Sequence, residues 1–310
     1  MNVEEIINWL LQSDVSIQYQ VHRDLLNTDR HDLKKRILSE GWGAKLLSYR
    51  KDNKHWGLGY YQPKWTSSHY TLLDIKNLNP VQDHLLVKES IDHILDHDKG
   101  EDGGVNPSGT VNQSDVCLNG MVLNFACYFK SEEEKLKSIV DFILSQQLPD
   151  GGFNCRYNRS GARHSSLHSS LSLCEGFREY LIYGYSYRKN EIQIAEKKAQ
   201  EFILLHQLFI SDRTGEIIHP AFLKLSYPGR WRYDILRALN YFRSAEYPYE
   251  TRMKPALDVL IKKRRKNGMW PVQAKHPGKT HFDYEKTGKE SKWNTLRALR
   301  VLKYYLNEYN

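Results

Sequence analysis

A short motif that recurs along the chain constrains the fold more than any other feature of the sequence. The motif places two apolar residues, a polar residue, a glycine and an aromatic or apolar residue at a fixed spacing. A repeat that spans one supersecondary unit predicts an architecture built by stacking that unit. The clearest copies are Ile94–Val105, Phe142–Phe153 and Val259–Trp270, and weaker copies end at Trp56 and Ile217.

Each copy of the motif joins two predicted helices. An amphipathic helix precedes it, as at residues 135–147 and 253–264. Gly151 and Gly268 then end the helix, because glycine tolerates the left-handed conformation of a helix cap. A polar loop leads to a second helix of small and apolar residues. These second helices are predicted to begin near Trp65–His69, Ser114–Cys117, Ser165–His168, Arg230–Asp234 and Lys292–Thr295, and a sixth pair opens the chain at residues 3–11 and 17–26.

Six helix pairs in series, without a strand signal between them, predict an all-α fold. We expect an (α/α)6 toroid in which six inner helices are ringed by six outer helices. An open solenoid of helix pairs is the alternative. Because no linker or low-complexity segment divides the sequence, we expect residues 1–310 to form a single domain.

Composition argues against a membrane-spanning, secreted or disulfide-rich protein. The mean hydropathy is −0.65 and no apolar run approaches the ~18 residues of a membrane-spanning helix. The first residues are acidic where a signal peptide is basic, and four cysteines are too few for a disulfide framework. These features predict a cytoplasmic protein. The net charge of +8 favours anionic partners or reflects a solvated basic surface, and no nucleic-acid motif accompanies it.

The repeat carries a family resemblance. Its Gln-x-x-x-Gly-x-aromatic element resembles the QW motif of squalene and other terpenoid cyclases. Residues Gly288–Leu299 resemble the repeat of squalene-cyclase-like bacterial proteins without assigned function. The resemblance implies the toroid shared by terpenoid cyclases and protein prenyltransferases. The sequence lacks both an Asp-x-Asp-Asp acid and an Asp-Asp-x-x-Asp magnesium motif, which argues against terpene cyclisation.

Asp115, Cys117 and His168 form a candidate metal site. Carboxylate, thiolate and imidazole are all good zinc ligands, and three of them leave a coordination position open. Asp115 is expected at the start of one inner helix and Cys117 in its first turn, with His168 at the matching place on the next helix. The arrangement resembles the zinc site of protein prenyltransferase β-subunits, where an Asp-x-Cys and a histidine bind zinc that activates an acceptor thiol.

The same residues also allow a purely structural interpretation. Asp115 suits a helix cap, Cys117 a small buried position and His168 a satisfied polar group. Residues 111–114 carry no positive charge, although that family places basic residues there to hold a diphosphate. His69 occupies the corresponding register one helix earlier, where it is a candidate fourth ligand or proton carrier.

Arginine and aromatic residues mark the loops that lead into the inner helices. The arginines are predicted to bind an anionic group, with solvated loop charge as the alternative. The aromatic residues are predicted to line the mouth of the central cavity, with packing that closes the ring as the alternative. The candidate substrate-binding residues are Trp65, Arg163, Arg230, Trp231, Arg232 and Trp293.

The leading functional hypothesis is an enzyme that acts on an isoprenoid-like or other apolar substrate, with zinc-dependent transfer as the reaction. His69, Tyr233 and Asp234 are its candidate catalytic residues. The first alternative is a carbohydrate-active toroid, for which Asp234 and Glu175 are the acids found on inner helices. The second alternative is a non-catalytic binding or scaffold protein. The expected partner in all three cases is a small or lipid-like molecule, and the sequence names no protein partner.

Overall fold

The chain folds as a succession of α-helices in the computed structural model, which describes residues 2–107 and 112–307, without the side chains of Asn158 and Arg159. The described residues contain no strand, and extended segments pair only in isolated bridges. None of their helices is long and apolar enough to cross a membrane. The predicted all-α class is therefore confirmed for these residues. The helices are α1 (Val3–Leu11), α2 (Val15–Asp24), α3 (His31–Arg36), α4 (Gly41–Leu47), α5 (Ser68–Leu78), α6 (Leu85–His97), α7 (Val116–Tyr128), α8 (Glu133–Ser145), α9 (Tyr157–Ser160), α10 (Leu167–Ile182), α11 (Lys189–Leu205), α12 (Ile235–Ser244), α13 (Lys254–Lys262) and α14 (Lys292–Leu306).

Six of these helices, which we call the core helices, are buried on most of their faces. They are α2, α5, α7, α10, α12 and α14. In α7 every residue except Cys117 is buried. A helix without a solvent-facing side must be surrounded by other helices. Five of the six begin within three residues of the predicted second helices.

The remaining helices, which we call the peripheral helices, are less buried, and the longer ones among them bury one stripe each. These longer helices are α1, α6, α8, α11 and α13. In α8 the buried residues include Leu136, Ile139, Val140 and Ile143, which share one face at helical spacing. The repeated motif predicts strict alternation of core and peripheral helices. In the structure one peripheral helix separates most successive core helices, and two lie between α2 and α5 and between α7 and α10. Each core helix contacts the next one in the chain, from α5 to α14, and α14 packs against α2. The Gln20 side chain of α2 also donates to the Asn77 carbonyl of α5, at 3.1 Å.

One hydrogen bond recurs in four copies of the motif. The last residue of the motif is buried, and its backbone N–H donates to a side chain in the first turn of the core helix that follows. The bond satisfies a loop amide that would otherwise be buried without a partner, and it fixes the loop against the helix. The pairs, at 2.7 to 3.0 Å, are Trp56 with Ser68, Val105 with Asn119, Phe153 with Ser170 and Trp270 with Thr295.

Helices α7 and α10 approach each other closely at two glycines. A methyl group added at Gly176 would lie 2.4 Å from the Gly120 carbonyl oxygen. One added at Gly120 would lie 2.9 Å from the Ser172 carbonyl oxygen. Because these obstacles are backbone atoms, no side-chain rotation can relieve them. The two glycines therefore set the distance between the two helices.

We expect Gly176→Ala to lower the free energy of unfolding by about 1–3 kcal/mol, the usual cost of overpacking a core. The loss should outweigh the gain in helix propensity that alanine provides. Urea unfolding followed by circular dichroism measures both effects. Gly59→Ala is the control, because a methyl group at Gly59 meets no atom within 4 Å. Equal stability of Gly176→Ala and the wild type would contradict the close packing.

Candidate functional site

A cavity of about 820 Å³ lies among the C-terminal halves of the core helices, and we call it the core cavity. Its volume falls within the ~300–1,000 Å³ that is usual for small-molecule sites. All six core helices contribute to its wall. The wall includes Gln20 and Asp24 of α2, Lys76 and Asn77 of α5, Asn124 and Tyr128 of α7, Glu175 and Glu179 of α10, Asn240 and Arg243 of α12, and Arg300 and Tyr304 of α14.

The wall of the core cavity is polar, although the helices that form it are largely apolar. Asn77 is exposed to the cavity. Asn124 is buried, and its Oδ1 accepts no hydrogen bond from the residues that the structure describes. Asn240 accepts from Arg300 Nε at 2.6 Å. Because a carboxamide both donates and accepts, this wall is suited to the hydroxyl groups of a ligand.

Asp24 is the centre of a buried ion-pair network at the wall. Arg23 forms a bidentate pair with it at 2.7 and 2.9 Å, and Arg300 Nη1 lies 2.9 Å from it. Arg243 lies 3.9 Å away. Burial by itself raises the pKa of Asp24, but the charge and hydrogen bonds of Arg23, with the charge of Arg300, hold it well below its usual range. The carboxylate is therefore ionised and engaged by its neighbours.

The remaining acids of the wall also have basic partners. Each lies within 4 Å of a lysine or arginine nitrogen, but only Glu175 and Glu179 are held at hydrogen-bond distance, and the Glu246 side chain is 81% exposed. The wall thus presents amides, phenols and arginines to a ligand, and its buried carboxylates are occupied. The pairs are Lys76 with Glu179 at 2.5 Å, Arg237 with Glu175 at 2.6 Å, and Arg178 with Glu246 at 3.8 Å.

A narrower cavity of about 90 Å³ continues the core cavity toward the N-terminal ends of α12 and α14. Residues 227–230 and Trp293 close it, and Arg297 lies in its wall. We call this closed end the floor. The two cavities share Gln20, Asn77, Glu175, Asn240 and Arg300.

Two of the predicted substrate-binding tryptophans lie at or below the floor. Trp293 is 2% exposed and stacks on Tyr227 with ring centroids 4.9 Å apart. Trp65 is 6% exposed, and its Nε1 donates to the Pro277 carbonyl at 2.6 Å. The Arg230 guanidinium lies 4.6 Å from the centre of the Trp65 ring. These aromatic rings therefore pack where the cavity closes, and the open part of the cavity lies at the other ends of the helices.

The three arginines predicted to bind one anionic group are separated in the structure. Arg230 lies at the floor. Arg232 lines a second pocket of about 420 Å³ at the N-terminal ends of α10 and α12, with His168 and His276. Arg163 is exposed on the loop before α10 and lines neither cavity. Trp231 packs near this second pocket, with its ring 5.0 Å from the His168 ring.

The three predicted zinc ligands lie at the starts of α7 and α10, which pack against each other. The Tyr233 backbone N–H donates to His168 Nδ1 at 2.8 Å. Burial and the charge of Arg237 lower the pKa of His168 to about 4, so the ring is neutral near pH 7. Its proton then sits on Nε2, and neither nitrogen offers a free lone pair to a metal.

The thiol of Cys117 hydrogen-bonds the thiol of Cys155, and with burial this bond raises the pKa of Cys117 well above its usual range. A raised pKa opposes the thiolate form that binds zinc. The described residues hold no group of three or more His, Cys, Asp and Glu side chains arranged to hold a metal ion. Zinc binding by Asp115, Cys117 and His168 remains a prediction.

The candidate catalytic residues make structural contacts. His69 is fully buried, and its Nδ1 bonds the Tyr60 hydroxyl at 2.8 Å. Asp234 caps α12 by accepting from the Arg237 backbone N–H at 2.8 Å. The Tyr233 hydroxyl donates to the Leu208 carbonyl at 2.5 Å. Of the three, Tyr233 and Asp234 lie together in the second pocket, and His69 lines neither cavity.

Apart from Glu175, the residues of the core cavity were not among the sequence-derived candidates, and neither was Arg297 at the floor. Asn124, Asn240, Arg297 and Arg300 lie in the middle of core helices, away from the helix starts that carry the motif. A signal for them exists in the sequence, because each interrupts an otherwise apolar segment. Buried polar groups are costly, so such interruptions mark positions with a specific partner or ligand.

Comparison with known proteins leaves the family unassigned. No family model matches the sequence, and no curated protein matches it. The resemblance to terpenoid cyclases and protein prenyltransferases depends on the motifs described above and remains a prediction.

The burial of His69 predicts a loss of stability in acid. Burial lowers the pKa of His69 to about 3, whereas an unfolded chain binds this proton near pH 6.5. The stabilisation is complete above pH 6.5 and is lost as the pH falls, by about 2 kcal/mol at pH 5. We expect His69→Gln to lose less stability than the wild type between pH 7.5 and 5 in urea titrations. His31→Gln, on the exposed face of α3, is the control. An unchanged pH dependence in His69→Gln would contradict the assignment.

Elemental analysis tests the zinc prediction. Protein purified without chelator should carry about one zinc per chain if Asp115, Cys117 and His168 bind it. Cys117→Ser should then lose the metal, whereas Cys174→Ser, a fully buried thiol further along α10, should keep it. A metal-free wild type after growth with added zinc would refute the prediction.

Proposed function

We propose that the core helices close into a toroid and that the core cavity binds a hydroxyl-rich small molecule of the carbohydrate class. Closure is supported by the contacts of the last core helix with the first. Arg300 of α14 reaches Asp24 of α2, and Lys303 donates to the Leu25 carbonyl at 2.8 Å. The longer peripheral helices, each with one buried stripe, would then surround the ring.

The polar wall of an otherwise apolar helical core is the observation that carries this proposal. A buried polar atom left without a partner costs about 1–3 kcal/mol. Asn124 Oδ1 is such an atom, and the exposed Asn77 faces the same cavity. A ligand with several hydroxyl groups would satisfy these amides, which explains their position in apolar helices.

A carbohydrate fits this wall better than the apolar chain that the sequence predicts. An isoprenoid would remove water from Asn77, Asn124 and the neighbouring charges without replacing its hydrogen bonds. A sugar offers hydroxyl groups to the amides, and its apolar face can pack on the partly exposed ring of Tyr183. The apolar-substrate hypothesis and the transferase reaction remain untested.

The cavity favours binding over glycoside hydrolysis. Hydrolysis uses one protonated carboxyl and a second carboxyl that is free to act as base or nucleophile. Glu175 is held by two hydrogen bonds from Arg237, and Glu179 is held by Lys76. Asp24 is held by Arg23 and Arg300, and only Glu246 among the described acids of the wall is mostly exposed, so the wall lacks a pair of free carboxyls. We therefore propose a carbohydrate-binding role, in line with the non-catalytic alternative.

Titration calorimetry with neutral and acidic trisaccharides, and with farnesol as the apolar competitor, tests the proposal. We expect saturable binding of a saccharide, weakened about fivefold by Asn77→Ala or Asn124→Ala, since a lost hydrogen bond costs about 1 kcal/mol. Asn8→Ala, an exposed asparagine on α1, should bind as the wild type does. Binding of farnesol without binding of any saccharide would overturn the proposal and support the apolar-substrate hypothesis.

A further inference from the structure

Two arginines at the floor are buried without adequate partners. Arg230 is 6% exposed and Arg297 is 9% exposed, and both line the narrow cavity at the floor. A guanidinium carries five N–H donors and a permanent charge, so a buried one needs acceptors. The contacts of these two side chains therefore indicate what the floor is built to hold.

Arg230 has one acid nearby, at the limit of an ion pair. Its Nη2 lies 3.9 Å from Asp74 Oδ2, and its Nε has no hydrogen-bond partner among the described residues. Burial raises the pKa of Asp74 to about 6, and the charge of Arg230 only partly offsets this effect. Trp65 supports the guanidinium from one side through a cation–π contact. The geometry holds the group in place and leaves its donors available to a ligand.

Arg297 has even fewer contacts. In the described part of the chain it makes neither a hydrogen bond nor an ion pair, although it lies on a core helix. It is the sixth residue of α14 and lies outside the last turn, where the helix dipole would favour a cation. The dipole that accounts for arginines near helix C-termini therefore does not account for Arg297.

Two neighbouring arginines, Arg300 and Arg237, have their guanidinium groups hydrogen-bonded to protein acceptors. Arg300, one turn along α14, donates to Asn240, Gln20 and Asp24. Arg237 donates to both carboxylate oxygens of Glu175 and to the Ser172 hydroxyl. Arg243 resembles Arg230 instead, because its Nε has no hydrogen-bond partner among the described residues and its nearest acid, Asp24, lies 3.9 Å away. Arg230 and Arg297 differ from Arg243 in that both line the narrow cavity at the floor.

We propose that Arg230 and Arg297 form an anion subsite at the floor of the core cavity, which binds a carboxylate or phosphate group of the ligand. The planar fork of arginine matches both groups with two parallel hydrogen bonds. The cavity at the floor, about 90 Å³, has room for one such group and opens into the polar core cavity. Resting on the carbohydrate proposal for the rest of the ligand, this subsite selects a sugar acid or a sugar phosphate.

Titration calorimetry with four ligands tests the subsite. These are trigalacturonic acid, its neutral counterpart galactotriose, glucose 6-phosphate and inorganic phosphate. We expect the sugar acid or the sugar phosphate to bind at least about tenfold more tightly than galactotriose, the gain that a charge-assisted hydrogen bond provides. The acid that binds more tightly identifies the anionic group.

Variants then test whether the preference for the anionic ligands depends on the two arginines. Arg297→Gln should abolish the tenfold preference, and Arg297→Lys, which keeps the charge, should retain part of it. Arg36→Gln removes an equal charge on the exposed surface of α3 and should keep the full preference. If Arg297→Gln loses its helical circular dichroism spectrum, Arg297→Lys and Arg230→Gln decide the question.

The outcomes separate the subsite from the carbohydrate proposal. Equal affinities for trigalacturonic acid, glucose 6-phosphate and galactotriose would overturn the subsite and leave the carbohydrate proposal intact. A preference that survives both Arg297→Gln and Arg230→Gln would also overturn the subsite. Arg297-dependent binding of inorganic phosphate, without binding of any saccharide, would support the subsite and overturn the carbohydrate proposal. Binding of none of the four ligands would overturn both.

Discussion

The burial of the core helices on most of their faces is the constraint on which the rest of the structure depends. A helix such as α7, with a single residue that is not buried, is stable only when other helices cover it on all sides. The longer peripheral helices supply this cover with one apolar stripe each. The recurring hydrogen bond from the end of the motif to the next core helix then fixes each loop at the same height.

The same constraint explains where polar side chains collect. A polar residue on a core helix cannot point into the apolar contact between helices without a high cost in desolvation. The arginines, acids and amides of the core helices meet in the cavity formed by their C-terminal halves. Asp24 shows the balance, since three arginines lie within 4 Å of it and keep it ionised despite its burial. Arg297 shows the exception, a buried charge that makes neither a hydrogen bond nor an ion pair in the described part of the chain.

The N-terminal ends and the C-terminal halves of the core helices have different roles in this molecule. Sequence motifs direct attention to the starts, where His69, Asp234 and Trp293 lie. In the structure these residues bond Tyr60, cap α12 and stack on Tyr227, respectively. These polar and aromatic side chains make packing and capping contacts at the N-terminal ends of the core helices. The core cavity lies at the opposite ends of the core helices, which no repeated motif marks.

The amino-acid sequence by itself determined the helical class, the succession of core and peripheral helices and the positions at which most core helices begin. These properties follow from local periodicity, glycine caps and repeated spacing, which act over a few residues. Only the tertiary structure decided which polar residues share a cavity, because Asn77, Arg230 and Arg297 are far apart in the chain and meet through packing. It also decided which charges are compensated, since a carboxylate such as Glu175 is available or occupied depending on an arginine 62 positions away. The physical reason is that a side chain's hydrogen bonds and ionisation depend on neighbours that the fold, not the local sequence, brings within a few ångströms.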